Sequence, residues 1–377
     1  MDGDRLHSGR LRNGVSIREW RWGIWFGGCG ERAWRRAGQL AAVALCVFAL
    51  AAPGSVSPGV AGAAPRPSQP PQPASGPGGS DYEFNGFTRR SGGAGSSAYT
   101  VTPRSTTSMR APVVVVTHGY FEYSGYRMHK HHIEHLVRQG SIVVYPRWQN
   151  SMVTPCFGPL HIEKCVSSAL AGIRGGIAQT QRSEDPVSPD LNRVSYFGYS
   201  FGGILTTNLV NRWRAYRLPK PRAVFLDEPH DGGLRGNSDP GLDKSLSGIP
   251  ANTLLVCHNG GQGVTSEKGK KRSSCNAIFP RLGHIPRQNR NITRSYPDDH
   301  GRPALTAEHV RPSIEGRPNA YDFFVVWRNF DALRDAALTG KHREIALGNT
   351  PEHRYTGRWS DGTPVHPLRV SSEPFLD

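Results

Sequence analysis

The chain has 377 residues, with 46 Lys and Arg against 30 Asp and Glu and a formal charge of +16. Its 37% apolar content at this length is enough for one large α/β domain or two small ones, which excludes a wholly disordered chain. The basic excess is mostly Arg spread along the sequence, with no aromatic interleaving and no nucleic-acid motif, so nucleic acid is not an expected partner.

The amino-terminal part does not read as folded protein. Arg32, Arg35 and Arg36 precede an apolar run from Leu40 to Ala52, and Ala61-Gly62-Ala63 supplies small residues for cleavage. A basic region, a short apolar core and an A-x-A end predict a cleaved secretory signal over residues 1–63, with membrane anchoring the lesser reading. Cys46 follows Leu45 inside the apolar run, which argues against a lipid-modified cysteine. Residues 64–80 (APRPSQPPQPASGPGGS) read as a Pro/Ser/Gly-rich linker. Residues 81–377 are then a single catalytic domain, secreted and expected as a monomer.

Within that domain the elements alternate. APVVVVTHGY (111–120) is a β-branched run ending in a glycine turn, as a strand buried on both faces would be. A helix from Tyr126 to Arg138 stops at Gly140, and SIVVYP (141–146) is the next strand. A helix around Val166–Thr180, a strand Arg193–Phe197 and a helix from Gly202 to Tyr216 follow. RAVFLDEP (222–229), NTLLVCHN (252–259) and Asn291–Tyr296 complete the strands. This order predicts a doubly wound, mainly parallel sheet with helices on both faces. In an oxidising compartment the four remaining cysteines allow three connectivities, of which the local bridges Cys156–Cys165 and Cys257–Cys275 are preferred; neither pair has the close spacing of a zinc site. The run Lys268–Arg272 reads as a solvated loop, with weak attraction to an anionic envelope as its electrostatic consequence.

The chemistry centres on GYSFGG (198–203). A strand, then G-x-S-x-G, then a helix is the context of a nucleophile elbow, in which glycines relieve a strained turn and the Ser200 hydroxyl projects. Acyl transfer needs donors aimed at the developing oxyanion; the amide of Phe201 is one, and His118-Gly119 turns the backbone so that the amide of Tyr120 is the other. The base lies in SYPDDHGRPALTAEHVRP, with His300, four residues past a strand, preferred over His309, which is expected on a helix. The acid is the least determined member, because GGQGV (260–264), the usual loop, offers Gln262 and no carboxylate. FLDEPHDGG supplies Asp227, the preferred acid at a strand terminus, with Glu228 and Asp231 as alternatives and Glu267 an outsider. Phe121, Tyr123 and Trp148, with Tyr120, are candidate pocket residues.

THGY, HLVRQGSIVVYPR, GYSFGG, FLDEPHDGG, DDHGRPALTAEH and WSDGTPV together resemble secreted bacterial α/β-hydrolases of the dienelactone hydrolase, cutinase and polyester-hydrolase type. The likeness covers most of residues 110–365. It implies the α/β-hydrolase fold and a Ser–His–Asp esterase or lipase with no cofactor and no metal, acting on a small-molecule, lipid or polymer ester. FLDEP also resembles the acid-bearing strand of pancreatic-type lipases, which implies Asp227 as acid.

Three other readings compete. HHIEH (131–135) fits an inverted zinc-protease pattern, but a polar helix face is the preferred reading of the His129–His135 cluster. A catalytically inactive binding or envelope protein on the same fold is a second, and an acyltransferase using the same serine is a third. The sequon at Asn291 lies within an expected strand and carries little weight.

Overall fold

A computed structural model describes residues 65–92, 98–123, 125–151, 153–157, 161–230, 241–260, 274–314 and 316–375. The leader through residue 63, Asp231, Gln262, Glu267 and the Lys268–Arg272 run lie outside the described residues.

The four valines at 113–116 explain the centre of the fold. They lie on β3 (Met109–Thr117), where alternate side chains enter opposite cores: Val113 and Val115 face one layer, Val114 and Val116 the other. β4 (Ile142–Pro146), β5 (Val187–Tyr199), β6 (Pro221–Asp227) and β7 (Leu254–Asn259) divide their residues in the same way. Burial on both faces is why these strands read as unbroken apolar runs, each fully buried Val contributing about 1.5–3 kcal/mol.

With β1 (Phe87–Gly92), β2 (Ala98–Pro103), β8 (Arg290–Arg294) and β9 (Arg369–Ser371), they form a sheet of order β1-β2-β4-β3-β5-β6-β7-β8-β9. Pairing is parallel from β4 through β8 and antiparallel at both edges. The fold is therefore α/β, with a mixed, mostly parallel sheet. Helix α1 (Lys130–Arg138) packs in one core, while α2 (Ile162–Gln181) and α3 (Phe201–Asn211) pack in the other. The edge strands β1, β2 and β9 have no apolar run to announce them. A further helix hides in the β-prone run YDFFVVW, where Tyr321–Trp327 winds as a π-helix that continues into a regular helix, Arg328–Thr339.

Both cysteine pairs are joined, with Cα–Cα separations of 5.4 Å for Cys156–Cys165 and 5.7 Å for Cys257–Cys275. No helix among the described residues is long and apolar enough to cross a membrane. Residues 65–80, expected as a linker, are extended but fastened to the body. Arg302 N donates to Pro67 O at 2.8 Å, Ser360 N to Ser68 O at 3.1 Å, and Gly78 N to the buried carboxylate of Asp331 at 2.9 Å. Proline-rich backbone has little conformational freedom to lose on docking, so a few main-chain bonds suffice to hold it. The sequon asparagine is also committed: Asn291 is buried in β8 and bonds Ser371 O and Gly348 N.

The expected polar histidine face of α1 is instead largely internal. His132 and His135 are buried against Trp327, His135 Nε2 lies 2.7 Å from Asp331 Oδ2, and His131 alone reaches out, to Gly316 O. His131 and His135 bond different partners, and among the described residues no group of three His, Cys, Asp or Glu could hold a metal ion.

Burial depresses the pKa of several histidines, to about 4 for His118 and His230 and about 3 for His258 and His353. Their folded pKa lies below the unfolded value, so the stabilisation is complete above pH ~6.5 and is lost as pH falls toward those values, at about 1.4 kcal/mol per histidine per pH unit. Thermal unfolding followed between pH 7.5 and 4.5 should show the melting temperature falling steeply below about pH 6.5; a flat profile there would contradict this assignment.

Candidate active site

Four strand ends build the site at the carboxyl edge of the parallel sheet, where the loops of such folds gather. β5 ends at Tyr199, and Ser200 follows at φ 54°, ψ −128° as the N-cap of α3. A non-glycine residue there costs on the order of 1–3 kcal/mol and persists only when its neighbours fix it. They do: Ser200 N donates to Asp227 O at 3.0 Å, while Ser200 O accepts from Gly203 N at 2.8 Å and His230 N at 3.1 Å.

The flanking glycines are steric requirements. A Cβ at 202 would lie 2.3 Å from His118 O, and one at 198 would lie 2.5 Å from Thr206 Oγ1. Helix α3 thus begins against the end of β3, and the Thr117 hydroxyl seals the junction by donating to Gly202 O at 2.9 Å.

The imidazole that meets Ser200 belongs to His309. Its Nε2 lies 2.8 Å from Ser200 Oγ, and its Nδ1 lies 3.1 Å from Glu228 Oε2. With the proton on Nδ1, the serine hydroxyl donates to Nε2 and Nδ1–H donates to the carboxylate. Glu228 is fully buried, whereas His309 keeps some exposure, as a group that must exchange protons requires.

This corrects two sequence expectations, and the sheet explains both. Asp227 is the last residue of β6 and shares a face with Ala223 and Phe225, so the pleat turns its carboxylate beneath the sheet, where it meets Arg311 Nε at 2.9 Å. Glu228, one residue on, takes φ 47° and leaves the pleat toward His309. His300 sits in a turn closed by reciprocal bonds between Asp298 and Leu305, at 2.9 and 2.8 Å, and faces outward to Asp361 at 2.7 Å. The chain regains the site only after Leu305, so His309 comes from irregular backbone rather than the expected helix. Both signals were present in the sequence: period-two alternation puts Asp227 with Phe225, and PDDHGRP is a turn-former that carries His300 to its tip.

A buried cation anchors the histidine loop. Arg311 is in contact with Asp227 and lies 3.9 Å from Asp322, with its guanidinium over the Tyr199 ring at 5.1 Å. Burial raises the Asp227 carboxyl against the pull of Arg311, with Glu228 adding to the rise. For Arg311, burial acts downward but the two carboxylates prevail and hold it above its ordinary value. Tyr199 stacks on His309 with centroids 5.1 Å apart and donates its hydroxyl to the His309 carbonyl. His230, 5.8 Å from His309 by ring centroids, is held neutral by burial and by that neighbour.

The His118–Tyr120 turn, expected to serve an oxyanion, lies against Ser200, because a Cβ on Gly119 would be 3.1 Å from Ser200 Cβ. Gly119 N donates to Glu122 Oε2, Phe121 N to Gln149 Oε1 at 2.8 Å, and Trp148 Nε1 to His118 O at 3.0 Å. Glu122 also meets His129 Nε2 at 2.8 Å; burial would raise its pKa, but His129 and the turn outweigh this and leave it lowered. Trp148, expected in the pocket, is fully buried and stacks on His118 beneath the turn, whereas Phe121 and Tyr123 are exposed. Phe201 opens α3, where an amide has no intrahelical acceptor.

No protein-family model matches the chain, and no curated protein matches it.

Two substitutions separate acid from anchor. Glu228→Gln should slow fluorophosphonate labelling of Ser200 by about 10³- to 10⁴-fold, by analogy with loss of a triad carboxylate, with little loss of stability. Asp227→Asn should instead destabilise the fold by on the order of 3 kcal/mol, because it strands a buried guanidinium. His300→Ala should leave labelling unchanged; slowed labelling in that variant would contradict the assignment of His309.

Proposed function

We propose that the protein is a secreted serine hydrolase of the α/β-hydrolase type that cleaves carboxylic esters through Ser200, His309 and Glu228. The observation that carries this reading is the continuous relay from Ser200 Oγ to His309 Nε2 at 2.8 Å and from His309 Nδ1 to Glu228 Oε2 at 3.1 Å. A half-buried serine on a strained turn, an imidazole in hydrogen-bond reach and a carboxylate orienting that imidazole are the parts required for nucleophilic catalysis. Chain order supports it as well, since serine, acid and histidine follow one another as in strand–turn–helix hydrolases.

In this mechanism His309 takes the Ser200 proton as Oγ attacks the ester carbonyl, and Glu228 stabilises the imidazolium without taking the proton. The amides of Tyr120 and Phe201 receive the tetrahedral oxyanion. Collapse expels the alcohol, protonated by His309; water, deprotonated by the same imidazole, then releases the acid and restores the hydroxyl. No cofactor enters these steps. The two disulfides are consistent with the oxidising compartment that a secreted protein meets.

Hydrolysis of p-nitrophenyl esters of graded acyl length is the direct measurement. Ser200→Ala and His309→Ala should each reduce kcat by at least about 10³-fold while the melting temperature stays close to that of the parent. Undiminished hydrolysis in Ser200→Ala would overturn the mechanism.

A further inference from the structure

Glu228 is buried on every side, so the oxygen that does not face His309 also needs a partner. That oxygen, Oε1, lies 3.4 Å from the hydroxyl of Tyr321, the first residue of the π-helix. The same hydroxyl lies 2.9 Å from Ser295 Oγ and 3.0 Å from His258 Nε2, and His258 Nδ1 lies 3.0 Å from Thr293 Oγ1. Burial keeps His258 neutral, so it carries a single ring proton. With that proton on Nε2, Thr293 donates to Nδ1, Nε2–H and the Ser295 hydroxyl both donate to Tyr321 Oη, and the tyrosine proton is left for Glu228. Burial holds the Tyr321 phenol far above its ordinary value, so that proton stays in place.

A Cβ on Gly260 would lie 2.6 Å from Oε1, so the backbone closes that side. The charged or titratable groups around the acid and base are Asp227, Arg311, His230, Tyr199, Asp322 and His258.

We propose that Tyr321 is a positioning residue for the triad acid: backed by His258 and Ser295, it fixes the Glu228 rotamer and directs Oε2 at His309. The inference rests on the serine mechanism above and deepens it. A carboxylate with one oxygen engaged from behind presents the other to the imidazole in one orientation, so the base is held in a single tautomer before substrate arrives. Tyr321 touches neither substrate nor the reacting atoms.

Tyr321→Phe keeps the ring and deletes the hydroxyl. It should lower kcat by about tenfold with KM changed less than about twofold, as expected for one lost bond to a charged group. A carboxylate free to turn is directed less well at His309 and stabilises the imidazolium less. NMR titration of the His309 ring should therefore show its pKa lowered, with the acidic limb of kcat moving to lower pH. Ser295→Ala, which leaves the tyrosine in place, should give a smaller shift in the same direction. A His309 titration that is unchanged or raised in Tyr321→Phe overturns the proposal, and this readout does not depend on activity. Hydrolysis surviving Ser200→Ala would overturn the serine mechanism itself. Serine-dependent hydrolysis with the parent kcat and titration in Tyr321→Phe would overturn only the positioning role.

Discussion

Helix α3 begins closer to the sheet than any side chain would permit. The carbonyl oxygens of Thr117 and His118 occupy the space where a Cβ at 202 would stand, and Pro229 crowds the space at 203. This approach forces the chain from β5 into α3 within one residue, and that residue is Ser200 at φ 54°. The projection of its hydroxyl and the docking of the His118–Tyr120 turn against it both follow from that compression. Backbone strain at one residue is sustained by bonds from β6 and α3, so the elbow is only as rigid as the sheet beneath it.

A second constraint brings the base back from a distance. Between β8 and His309 the chain first makes an outward turn, then returns through Leu305 and Ala307, which are buried in the core. What holds the return is the contact of Arg311 with Asp227, two fully buried groups of opposite charge. Such a pair adds little stability relative to an apolar substitute but is severe when broken, so it specifies where the loop lands more than how strongly the protein folds. Asp227 and Glu228 are thus neighbours with divided duties. The pleat sends Asp227 beneath the sheet to anchor the loop, while Glu228 leaves the pleat at φ 47° and meets the imidazole that the loop delivers.

Three of the residues with positive φ that are not glycine, Phe121, Ser200 and Glu228, belong to this one edge of the sheet. Each lies just past the end of a strand or in the turn that follows it. In each case a side chain or amide must leave the direction that regular β structure would impose. Local strain here is compensated by hydrogen bonds: Gln149 for Phe121, the Asp227 carbonyl for Ser200 and the His258 carbonyl for Glu228. The side chains of Ser200, His309 and Glu228 are therefore held in register by the fold itself, with nothing bound.

The sequence by itself determined the central strands, because burial on both faces writes an unbroken apolar run, and it determined the elbow, because only glycine tolerates the contacts at 198 and 202. It also determined both cysteine pairings, since each closes a local loop. The edge strands and the helix behind YDFFVVW were illegible, as their stability comes from neighbours distant in the chain rather than from local pattern. Alternation and the PDDHGRP turn hinted at the outcome, but tertiary structure decided which of two nearby histidines meets Ser200 and which of two adjacent carboxylates meets that histidine. That choice depends on the facing of a strand's last residue and on where a turn closes, and both are fixed by contacts, Arg311 with Asp227 and Asp298 with Leu305, that form only when the sheet is assembled.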